Sequence, residues 1–250
     1  MNLPTARLVP LLLLLACLAA AAFRPPAAAA ISRVPTTVPV VALTFDDGPS
    51  VPYTGRILDL LLQSHARATF FVVGGEAARY PDVVRRLAHA GMELGLHGLS
   101  HRDVRQLGAR QAVAQALAER DLLQRLVPGL PVTLFRPPYG AVARGLAPLL
   151  ARNGLDLVLW DVDTLDWTRP AVAAIVRRVE RAVRPGSIVL FHDGGGNRQE
   201  TVEAVRRLLP WFAARGYRLV TVSQLVEFAT PAPAPSSPPP HGSAIFGGER

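Results

Sequence analysis

Lysine is absent from this chain, cysteine occurs once, and aromatic residues make up only 6% of it. All 27 cationic residues are therefore arginines, and the formal charge of +8 reflects a compositional bias. No basic cluster is interleaved with aromatics, which argues against nucleic acid as a partner. The lone Cys17 lies near the start, so the domain that follows holds no internal disulfide and relies on its core. A glycine-rich phosphate fingerprint is missing after the first apolar run, which weakens a nucleotide-binding reading. No coiled-coil pattern argues for a protein partner, and a monomer is expected.

Long apolar runs are scarce as well. The run from Leu8 to Phe23 falls short of the roughly 20 residues that span a bilayer. It follows Arg7 and fades into alanines, the layout of a secretory signal peptide over residues 1–30. An exported protein is expected, secreted or associated with the cell envelope. "LLLLAC" also resembles a bacterial lipoprotein box, apart from its second position, which makes anchoring through Cys17 an alternative. At the other end, residues 229–250 are rich in Pro, Ser and Ala without apolar periodicity, and a disordered tail is expected there. The domain then covers residues 31–228.

Within it, short apolar runs alternate with amphipathic stretches. "VPVVALTF", "ATFFVVG", "MELGLHG", "VTLFRPPYG", "LDLVLWDVD", "GSIVLFHD" and "YRLVTVSQL" read as strands, and the segments between them as helices. Near-continuous apolar strands imply burial on both faces, hence a parallel α/β architecture. About seven such units in one domain favour a distorted (β/α) barrel over an open doubly wound sheet.

Polar residues gather where these runs end. Asp46 and Asp47 follow the first, His97 and His101 the third, and Arg136 the fourth; Asp161, Asp163 and Asp166 follow "LVLW", and His192 follows "SIVLF". In a parallel barrel the carboxyl ends of the strands share one face, so these residues are expected to meet there. Adjacent acids such as Asp46 and Asp47 are tolerated where a cation or a positive side chain compensates them. His97 and His101, four residues apart, reach one cation if "HGLSH" forms a helical turn. Two His and one Asp with an open position suit zinc or another first-row divalent ion. His65, His89 and His241 are assigned no chemistry, and Asp161 reads as a polar loop cap. His192, on the rim before "DGGG", suits a proton donor.

Five short motifs in this order resemble those of the polysaccharide deacetylase family, the carbohydrate esterases of the chitooligosaccharide deacetylase homology type. They are "TFDDGP", "HGLSH", "RPPYG", "DTLDW" and "LFH", spread over nearly the whole domain. The resemblance implies Asp46 as general base and Asp47, His97 and His101 as ligands of a divalent metal, zinc foremost, with cobalt or nickel as alternatives. It further implies that Arg136 pairs with Asp46, that the Tyr139 N–H contributes to an oxyanion hole, and that Asp166 pairs with His192, the general acid. Trp167, Leu190, Pro138 and Tyr139 would line the groove for the sugar and its acetyl group. The implied substrate is an N-acetylated, or alternatively O-acetylated, polysaccharide such as peptidoglycan, chitin oligomers, poly-N-acetylglucosamine or acetylxylan. One departure is Gly98, where the second motif usually carries Ser or Thr.

Two rival classes stand beside this reading. A glycosidase using paired carboxylates requires neither the two histidines nor His192. A non-catalytic glycan-binding relative would keep the groove aromatics and lose a base or a ligand.

Overall fold

The computed structural model describes residues 29–230. The leader and tail expected at the two ends lie outside the described residues, apart from two residues of each. The first half runs β1 (Val40–Asp46), α1 (Tyr53–Gln63), β2 (Thr69–Val72), α2 (Gly74–Arg79), α3 (Pro81–His89), β3 (Glu93–Leu96), α4 (Val104–Leu107) and α5 (Ala109–Leu126). The second runs β4 (Leu134–Phe135), α6 (Leu146–Arg152), β5 (Asp156–Leu157), β6 (Val162–Asp163), α7 (Val172–Ala182), β7 (Ile188–His192), α8 (Gln199–Ala214), β8 (Arg218–Leu219) and α9 (Val222–Glu227).

All strand pairings are parallel, in the order β5-β4-β3-β2-β1-β7-β6, with β8 paired to the start of β1. The sheet curls into the expected distorted barrel; no ladder joins β5 to β6, and residues 31–34 bridge that side, Ile31 beside Val158 and Arg33 beside Ser187. Every residue of β1 is buried, as a central strand covered on both faces requires. Phe45 of β1 stacks on Phe70 of β2 and Phe191 of β7, with ring centroids 5.0 and 5.6 Å apart, which ties the three central strands at the core.

Local signals explain several helix ends. Pro81 starts α3, where its missing N–H costs nothing. Thr221 and Gln224 form a reciprocal capping box on α9, so the stretch read as one strand, "YRLVTVSQL", is a two-residue strand followed by a helix.

A second correction bears on the site. "LDLVLWDVD" is not one strand but two short ones, β5 and β6, at opposite edges of the curled sheet. The intervening residues cross the side of the barrel that no ladder closes. Asp161 therefore precedes a strand instead of following one. Its carboxylate accepts from the Ser187 hydroxyl (3.0 Å) and the Ile188 N–H (2.9 Å), the loop-capping role read from the sequence.

Candidate active site

The parallel register builds the site. Asp46 on β1 lies opposite His192 on β7 and Phe71 on β2. The ladder then continues one residue past two more strands: the His97 N–H donates to the Val72 carbonyl and the Arg136 N–H to the Leu96 carbonyl, both at 2.9 Å. Asp46, His97, Arg136 and His192, far apart in sequence, thus stand in one row along the carboxyl rim.

Asp47, His97 and His101 offer three ligand atoms that all lie within 4.8 Å of one another. Nδ1 of His97 is 2.8 Å from the Arg136 carbonyl oxygen, which can only accept, so the ring proton sits on Nδ1 and Nε2 presents its lone pair. That Nε2 is 3.3 Å from Oδ1 of Asp47, itself 2.9 Å from Nε2 of His101. Oδ1 is buried and has no aligned hydrogen-bond donor. Two acceptors facing each other in a buried space repel unless a cation lies between them, and His, His and Asp are a donor set that zinc takes. The residues present therefore fit a divalent metal. Burial raises the Asp47 carboxyl, while protonated imidazoles at His101 and His97 would outweigh that and hold it well below the usual carboxylate range; a cation between the three would do the same for neutral rings.

The two imidazoles do not share a helical turn. The segment from His97 to His101 is a loop, turned by positive φ at Gly98 (86°) and His101 (52°), and it sets the ring centroids 5.1 Å apart. Gly98 stands where a side chain is strained. Its carbonyl accepts from the Gly74 N–H (3.1 Å), and the Leu99 carbonyl from the Gly75 N–H (2.9 Å).

Asp46, 3% exposed, meets the fully buried Arg136 at 2.7 Å. The guanidinium also donates to the Thr44 hydroxyl (2.8 Å) and the Leu159 carbonyl (2.9 Å), and lies 4.1 Å from the centre of the Phe71 ring. Burial pulls the Arg136 pKa down, against the opposing charge and hydrogen bond of Asp46. On the other flank, Nδ1 of His192 meets Asp166 at 2.7 Å, and the second oxygen of Asp166 accepts from the His192 N–H (2.8 Å) and the Thr201 hydroxyl (2.7 Å). Burial lowers the His192 pKa, yet the hydrogen bond and charge of Asp166, with the charges of Asp46 and Asp47, leave it raised. Asp166 holds Nδ1, which leaves Nε2 of His192 for the cavity.

That cavity has a volume of about 480 Å³ and is lined by Asp46, Asp47, His97, His101, Tyr139, Trp167, Leu190 and His192, together with Trp160, Asp163 and Arg198. Tyr139 sits in a single 3₁₀ turn with φ 62°, its ring edge-on to His101 at 4.7 Å and 68% exposed. Trp167 is half exposed. Pro138, expected on the groove, does not line it: it is buried and is the side chain nearest to the open space above Gly98.

Sequence reasoning missed three residues. Trp160 and Arg198 line the cavity from the β5–β6 crossing and the β7–α8 loop. Glu119 is fully buried on α5, and its carboxylate accepts from the backbone N–H groups of His97 (3.2 Å) and Gly98 (2.7 Å). A signal existed for the last: Glu119 shares its helix face with Ala112, Val113, Ala116 and Leu123, all buried, where a charge is out of pattern.

Asp193, next to His192, is a further buried acid. It accepts from the Thr54 hydroxyl at 2.5 Å, but burial, reinforced by the charges of Asp47 and Asp46, pushes its pKa up to about 7. A carboxyl raised in the folded state stabilises fully below its unfolded pKa of about 3.9, and that contribution is lost as pH rises through the folded value. The metal-free protein should therefore lose stability between about pH 4 and pH 7. Asp193→Asn should flatten that decline and melt several degrees above the parent at pH 8; equal melting profiles for the two would refute this account.

Comparison with known proteins agrees with this geometry. A family model described as polysaccharide deacetylase matches residues 33–158. A chitooligosaccharide deacetylase of Sinorhizobium fredii is 37% identical over 204 residues, covering 78% of this chain and 95% of that protein. The chain belongs to the polysaccharide deacetylase family. Among solved structures, the Bc1960 peptidoglycan N-acetylglucosamine deacetylase superposes with a TM-score of 0.75 at 32% identity, covering 79% of this chain and 92% of the other. BA3943 of Bacillus anthracis, described as a family pseudoenzyme, superposes at 0.74 with 26% identity, covering 79% of this chain and 69% of that one. Family fold and family activity are thus separable, which gives the individual side chains their weight.

Proposed function

We propose that this protein is a zinc-dependent hydrolase that removes N-acetyl groups from the N-acetylglucosamine units of a cell-envelope polysaccharide. The observation that carries the reading is the row on the rim: an acid held by Arg136, a three-residue metal site, and an imidazole held by Asp166, all on one cavity. Relatives named for peptidoglycan and chitooligosaccharide substrates support the substrate class. The apolar leader and the Pro-rich tail support an exported protein, with Cys17 as the candidate for a lipid anchor.

A divalent cation held by Asp47, His97 and His101 would supply Lewis acidity, polarising the amide carbonyl and acidifying water. The protein does the rest. Asp46, kept in place by Arg136, takes a proton from the attacking water, whose oxygen bonds to the acetyl carbon. The backbone N–H of Tyr139 donates to the developing oxyanion. His192 gives its proton to the glucosamine nitrogen, the C–N bond breaks, and acetate and a free amine result. Trp167 and Trp160 flank the sugar, and Leu190 packs against the acetyl methyl.

The test is acetate release from N-acetylglucosamine oligomers, peptidoglycan and acetylxylan, with chelator and then with zinc, cobalt or nickel. Chelation should abolish release, and zinc should restore it on one of the two N-acetylated polymers. Release only from acetylxylan would make the enzyme an O-deacetylase. Binding to a glycan without release from any would favour a non-catalytic role, which the likeness to a pseudoenzyme keeps in view.

A further inference from the structure

Glu119 is a side chain that the proposed chemistry does not use. It is fully buried on the apolar face of α5, and none of the ion pairs among the described residues includes it. A carboxylate in such a place costs several kcal/mol unless its oxygens are satisfied, and an aliphatic residue would pack at no such cost. Both oxygens are satisfied, and by one target: Oε1 accepts from the His97 N–H and Oε2 from the Gly98 N–H.

These are the first two residues of the loop that carries both imidazoles. The same loop is fixed from its other side through the Gly98 and Leu99 carbonyls, which accept from the N–H groups of Gly74 and Gly75 at the start of α2. The Gly98 N–H has the Glu119 oxygen at 2.7 Å, and the His97 N–H is shared between the Val72 carbonyl and Glu119. Gly98, with no side chain of its own, leaves the loop dependent on what α5 supplies. Displacing these two peptide units would swing Nε2 of His97 away from Oδ1 of Asp47.

We propose that Glu119 is a positioning residue for the metal site: by clamping the backbone of His97 and Gly98 it sets the spacing of the ligands and hence the affinity for a divalent cation. This rests on the reading of Asp47, His97 and His101 as metal ligands. The clamp itself is a property of the metal-free fold, so it can be tested separately.

The full chain, Glu119→Gln and Glu119→Met are compared in three measurements. These are the zinc dissociation constant by competition with a chromophoric chelator, melting without metal, and amide hydrogen exchange at His97 and Gly98 without metal. Gln keeps one acceptor and turns an NH₂ toward the other N–H, whereas Met keeps the volume and removes both acceptors. Zinc binding should weaken about 10-fold in Glu119→Gln and about 100-fold in Glu119→Met, the range for groups that orient a ligand from behind. Gly98 should exchange faster in both, melting should move by only a few degrees, and excess zinc should restore most of the kcat of Glu119→Gln. If Glu119→Met does not fold, Glu119→Gln decides alone. Zinc affinity and Gly98 exchange in Glu119→Gln within twofold of the parent would overturn the proposal. Failure of the unaltered protein to bind zinc would count against the metal reading, and the exchange measurement would still decide the clamp.

Discussion

Asp46→Asn should lower turnover by about 10²- to 10⁴-fold, the usual worth of a positioned general base, while one metal ion per chain stays bound. The geometry separates the two neighbouring acids. Asp46 meets Arg136 at 2.7 Å and stands 3.7 Å from Nε2 of His97, whereas Asp47 takes both imidazoles at 3.3 and 2.9 Å. An asparagine at position 46 can still accept from Arg136, but it cannot take a proton. It also leaves a buried guanidinium without its counter-charge, and losing one partner of such a pair costs about 3–5 kcal/mol. Melting temperature and metal content therefore belong beside the rate. A folded, metal-loaded variant within tenfold of the parent rate would move the base elsewhere.

His97→Ala should lose metal and turnover together. This imidazole is 2% exposed, the most buried of the three candidate ligands, and its orientation is set from behind by the Arg136 carbonyl. Removing it leaves one imidazole and one carboxylate, too few for a zinc site of ordinary affinity. Metal content should fall from one ion per chain to a small fraction at micromolar zinc, and excess zinc should not restore the rate. Full metal content in this variant would mean that the ion sits elsewhere. The contrast between the two variants is the stronger test, because a general loss of fold would remove metal from both.

Much of this was legible in the amino-acid pattern, for physical reasons that differ from element to element. Buried parallel strands such as "VVALTFD" announce themselves by unbroken apolarity, and a residue that follows such a run lies on the carboxyl rim whatever the neighbouring strands do. That logic places Asp46, His97, Arg136 and His192 together. It fails where the chain departs from regular structure. "LDLVLWDVD" is apolar enough for one strand, and nothing local says that it crosses the barrel from edge to edge. Spacing alone could not tell a helical turn from the loop at His97 to His101, because the positive φ at Gly98 and His101 is imposed by contacts with α2 and α5. The family resemblance implies Pro138 on the groove, but the 3₁₀ turn buries it and exposes Tyr139. Glu119 is visible as a charge on an apolar helix face, though its target, the backbone N–H groups 22 and 21 residues upstream, is not.

The placement of β1 between β2 and β7 also constrains when the site can exist. Thr44 donates to the Val189 carbonyl at 2.7 Å across 145 residues of chain, and Asp46 takes its place from the same ladder. Closing so long a loop is entropically costly and slow, and the contacts that reward it form only when both strands are present. A chain still emerging from the ribosome carries every rim acid and imidazole up to Asp166, yet has no partner for the outer edge of β1. Competence thus arrives with the last quarter of the polypeptide, and a chain truncated before Ile188 should be inert as well as unstable.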